Sequence, residues 1–139
     1  MTFAARLRLA LVPMLLAQVV LTSCGGPSGP SPSAGRPSSP AVVTILQPVA
    51  GQVVSGTSVH VVLSLKGAEI VSQTTTDIRP DRGHIHLYVD NVLVAMNYQL
   101  EQDLPVHPGT YVLRAEFVAA DHAPFSPRVW SPETIFTVK

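Results

Sequence analysis

Cysteine is nearly absent: Cys24 stands alone among 139 residues. An internal disulfide and a four-cysteine zinc site are thereby excluded. Charge is also scarce, at 13% of residues, and balanced, with nine basic and nine acidic side chains. Phosphate binding needs a clustered basic surface, so nucleic acid is excluded as the main partner. No G-x-S-x-G elbow, phosphate-cradling glycine loop or H-E-x-x-H occurs, and no enzyme is expected. What is present is 13 prolines and nine glycines, a composition of short strands and turns rather than long surface helices.

Arg6 and Arg8 open the chain, followed by an uncharged run of 13 residues, Leu9 to Leu21. A transmembrane helix needs about 20 apolar residues, and Pro13 weakens a helix here, so the length fits a secretory signal. The run ends in Leu21-Thr22-Ser23-Cys24. This resembles the bacterial lipobox. The resemblance implies a signal peptide over 1–23 and a thioether-linked diacylglycerol on Cys24, which becomes the mature N-terminus. Two acyl chains hold a protein stably at a membrane where one holds it marginally. The expectation is therefore a lipoprotein anchored to the cell membrane on its extracytoplasmic side. Loss of Arg6 and Arg8 leaves seven basic and nine acidic residues, with no polybasic patch.

Residues 24–40 read as the lipidated cysteine and a flexible linker. Fourteen of the 16 residues in GGPSGPSPSAGRPSSP are Gly, Pro or Ser. Such a segment buries too little apolar surface to offset its ordering entropy. As a coil it spans roughly 20–25 Å.

Residues 41–139 carry the folded domain. Val59, Val61, Leu63 and Leu65 alternate with Ser58, His60, Val62 and Ser64, the period of a half-buried strand. Further strands are expected at Val42–Gln47, His84–Val89, Val92–Tyr98, Thr110–Val118 and Glu133–Val138, with a weaker one at Glu69–Thr75. Asp90-Asn91 supplies a tight hairpin turn. The fold expected is all-β, a single antiparallel sandwich of about seven strands. Tyr111, just after Pro108-Gly109, resembles the tyrosine corner of immunoglobulin-like and fibronectin type III domains. ILQPVAGQVVSGTSVHVVLSL resembles the opening strands of bacterial Ig-like envelope modules.

His84 and His86 sit two apart on one strand, so both imidazoles share a face with Tyr88, while Ile85, Leu87 and Val89 face the core. If that strand pairs antiparallel with Thr110–Val118, its start lies beside Asp121 and His122. Three imidazoles and a carboxylate at one rim suit copper or zinc better than magnesium or calcium. His60, on an alternating strand, and His107, in a turn, have less claim, and Met96 reads as packing. GHIHLYVDNVLVAM with PGTYVLRAEFVAADHAP also resembles uncharacterised histidine-containing bacterial envelope domains, a group with no settled activity.

The stretch Ala119–Pro132 reads as a long loop, with Phe125, Arg128 and Trp130 as possible anchors for an envelope protein partner. Two functions follow. One is a lipid-anchored module presenting a binding or structural surface without catalysis. The alternative is an envelope metal-binding lipoprotein using the His-x-His strand.

Overall fold

The computed structural model describes residues 35–139. The signal peptide, Cys24 and the linker up to residue 34 lie outside them.

Among the described residues ten strands run in chain order: β1 (Val42–Gln47), β2 (Val53–Val54), β3 (Ser58–Lys66), β4 (Glu69–Ile70), β5 (Arg82–Val89), β6 (Val92–Asn97), β7 (Glu101–Pro105), β8 (Gly109–Ala119), β9 (Pro124–Trp130) and β10 (Thr134–Val138). One sheet has the order β1-β3-β7. The other runs β2-β10-β8-β5-β4, with β6 also on β5 and β9 also on β8. Alternation along the strands aims one face of each sheet at the other. Val43, Val59, Val61 and Leu63 from the smaller sheet meet Ile85, Leu87, Leu113, Ala115, Phe117 and Phe136 from the larger. The core sits between these layers. The chain is thus the β-sandwich that its periodicity predicts.

The turn chemistry agrees with the sequence. Asp90 and Asn91 take φ of 49° and 65°, the left-handed pair that a tight two-residue hairpin requires. Tyr111 Oη donates to the His107 carbonyl at 2.9 Å and accepts from its amide at 3.2 Å, closing the tyrosine corner. Gly83 brings β5 close to β8: a Cβ there would stand 1.8 Å from the Val118 carbonyl oxygen.

Three expectations need correction. The strand expected over Glu69–Thr75 pairs only at Glu69–Ile70. Ala119–Pro132 is not a loop, because Pro124–Trp130 forms β9 on β8. Its prolines hide the strand in the sequence, yet they are tolerated because β9 has a ladder partner on one side only. The folded part also begins before residue 41: Arg36 and Pro37 hydrogen-bond to the 121–126 segment.

Candidate metal centre

Antiparallel pairing sets Gly83 opposite Ala119 and His84 opposite Val118. The start of β5 therefore lies beside the turn that follows β8, and that turn carries His122. Both faces of β5 are covered. Its core face holds Ile85 and Leu87; on the other face His84 is fully buried and His86 is 5% exposed.

The three imidazoles converge. The ring centroids of His84 and His122 are 4.1 Å apart, and those of His86 and His122 are 5.7 Å apart. His86 Nε2 lies 3.4 Å from His122 Nδ1. Tyr98, next to β6, packs edge-on to His84 at 4.9 Å. Thr74 Oγ1 sits 3.1 Å from His122 Nε2.

His84 has a defined tautomer. Its Nδ1 lies 3.0 Å from the Val71 carbonyl oxygen, an acceptor only, so Nδ1 carries the proton. In the neutral ring Nε2 then bears a lone pair, and that atom is buried without a hydrogen-bond partner. A backbone carbonyl holding the far nitrogen is how metal-binding histidines are commonly oriented. Burial, reinforced by His122, His84 and Arg128, pushes the His86 pKa down to about 4. Burial and then His84 also lower His122, more than Asp121 raises it. Both rings are therefore neutral at pH 7, the state in which imidazole ligates metal.

The spacing suits an ion as well. Two nitrogens held by one tetrahedral Zn(II) at about 2.0–2.1 Å each stand roughly 3.3–3.4 Å apart. His86 and His122 have that separation already. Among the described residues, no group of three or more His, Cys, Asp or Glu side chains is placed to hold a metal ion as the side chains stand. Closing the trio on an ion takes side-chain rotation.

Asp121 does not join the trio. Its carboxylate accepts two hydrogen bonds from Arg36, at 2.7 and 2.8 Å, and one from the Ala123 amide at 3.1 Å. Burial alone would raise its pKa; the Arg36 and Ala123 hydrogen bonds and the Arg36 charge outweigh that and lower it. His60 lies on the other sheet, 2.9 Å from Asp103. His107 is at the tyrosine corner, the opposite end of β8.

Of the three residues read as partner anchors, Phe125 lies inside the fold, while Arg128 and Trp130 are half-buried. Phe125 is fully buried and stacks on Phe117, with centroids 5.6 Å apart. Arg128 grips the buried carboxylate of Glu116 at 2.6 and 2.7 Å. Trp130 lies under the guanidinium groups of Arg114 and Arg128, at 4.3 and 4.5 Å.

A solved structure of fibronectin(III)-like modules of CbhA from Clostridium thermocellum superposes with a TM-score of 0.53 at 24% identity. The fold is fibronectin type III-like. The match covers 70% of this chain and 46% of that one, so the chain spans less than half the length of its neighbour. No protein-family model and no curated protein matches the sequence.

Sequence reasoning missed Arg36, Thr74 and Tyr98. Arg36 did carry a signal, as the one charged residue in the 16-residue Gly/Pro/Ser stretch. Tyr98 shares the parity of Met96, which lies opposite His86. Thr74 gives no sign in the sequence.

Proposed function

We propose that this protein is a lipid-tethered, non-catalytic module of the bacterial envelope that binds zinc or copper through His84, His86 and His122. The observation that carries the reading is the buried, unpartnered Nε2 of His84 beside two imidazoles held neutral. A buried polar atom without a partner costs free energy, and a metal ion would satisfy it. Attachment through Cys24 rests on the LTSC sequence at the end of the apolar run.

The test is a calorimetric titration of the mature chain, purified in detergent, with Zn(II) and Cu(II) at pH 7. One-to-one binding at sub-micromolar Kd, abolished in His84→Ala/His86→Ala, is the expected result. Heat no larger than buffer controls would overturn it. A second reading, a surface presented to an envelope protein, is favoured by the exposed apolar residues Val92, Leu93, Val94 and Met96 on β6. Capture of one defined envelope protein by the metal-free chain, lost on Leu93→Ser/Met96→Ser, would select that reading.

A further inference from the structure

His122 adopts φ of +64°. This is a left-handed backbone, which is unfavourable for a residue with a side chain, so the surroundings must hold it. The local turn supplies part of the restraint: His122 N donates to the Ala119 carbonyl at 2.9 Å and Ala119 N to the Ala123 carbonyl at 3.0 Å. The rest comes from a residue 86 positions earlier. The Arg36 guanidinium donates to both Asp121 oxygens, to the Ala123 carbonyl at 3.0 Å and to the Pro124 carbonyl at 3.1 Å. One planar fork thus grips the chain immediately before and immediately after His122. Its side chain is only 12% exposed. Beside it, Ser126 N donates to the Pro37 carbonyl at 3.0 Å.

We infer that Arg36 is a positioning residue for the metal centre: it locks the 121–124 turn so that the His122 imidazole stays against His84 and His86. The inference rests on the metal-binding reading above. It extends that reading, because Arg36 directly follows the segment that would tether the domain to a membrane. Arginine is suited to the task, since its five donors lie in a fixed plane. Lysine keeps the charge but has only three donors, one short of the four acceptor atoms that Arg36 reaches. An outer residue that orients a metal-binding histidine typically contributes 10–100-fold to affinity.

The experiment compares the mature chain with Arg36→Ala, Arg36→Lys and Asp121→Asn, each titrated with Zn(II) well below its own melting temperature. Co(II) serves as a spectroscopic probe of the ligand set. Arg36→Ala is expected to bind Zn(II) 10–100-fold more weakly and to lose the intense visible bands of tetrahedral Co(II). Arg36→Lys should recover little of the affinity. In the metal-free protein, the His122 amide-to-α-proton coupling should leave its left-handed value in Arg36→Ala while the core strands keep theirs. If Arg36→Ala does not fold, Arg36→Lys and Asp121→Asn carry the same comparison. Zinc affinity within about twofold of the unmodified chain, with the Co(II) bands intact, would overturn the role of Arg36 and leave the metal site standing. An unmodified chain that binds neither metal would overturn both.

Discussion

At the scale of single residues, the histidine cluster makes the metal-free protein acid-sensitive. His86 titrates at about 4 when folded, against an ordinary 6.5. Between those values the unfolded chain takes up a proton that the folded chain refuses. The stability contribution is therefore complete above about pH 6.5 and falls away as the pH drops towards 4. The loss from this one group is on the order of 3 kcal/mol, and the lowered His122 adds to it in the same direction. Urea unfolding of the metal-free chain should show a midpoint clearly lower at pH 4.5 than at pH 7. His86→Gln should flatten that dependence. A midpoint that does not move would mean that the imidazoles are not desolvated as the geometry places them.

At the scale of strands, β9 carries the heaviest consequence. Phe125 enters the core from β9 and stacks on Phe117. Phe125→Ala should cost about 3–5 kcal/mol by opening a cavity, read as a large fall in melting temperature. No exposed docking surface would be lost. The strand itself was not legible in the sequence. Three prolines in and just after PFSPRVW erase the alternation that makes β3, β5 and β8 readable. Strand β7 (EQDLP) was hidden for a related reason: it is short, charged and poor in β-branched residues, and its pairing with β3 supplies what its own propensity does not. The histidine pair was legible because parity along β5 is a local property. The convergence of His122 needed only the assumption that β5 and β8 pair. The Val71 carbonyl and the Arg36 fork were out of reach, since they join segments 13 and 85 residues from their partners through loops with no periodicity.

At the scale of the whole molecule, the proposed attachment is separable from the fold. Cys24→Ser should move the protein from the membrane pellet to the soluble fraction without changing its melting temperature or zinc affinity. Retention of the variant in the pellet would argue against acylation at Cys24. Anchoring at Cys24, as proposed, would also give the domain a direction through Arg36. Eleven residues, 25–35, separate the Arg36 grip from Cys24. The chain leaves the sandwich beside His122, so an anchor at Cys24 would turn the histidine rim towards the bilayer and the tyrosine corner away from it. A membrane protein in the same leaflet would then share the layer in which the rim lies. Passing an ion between them would then be a lateral search in two dimensions, governed by how densely the neighbour populates the membrane.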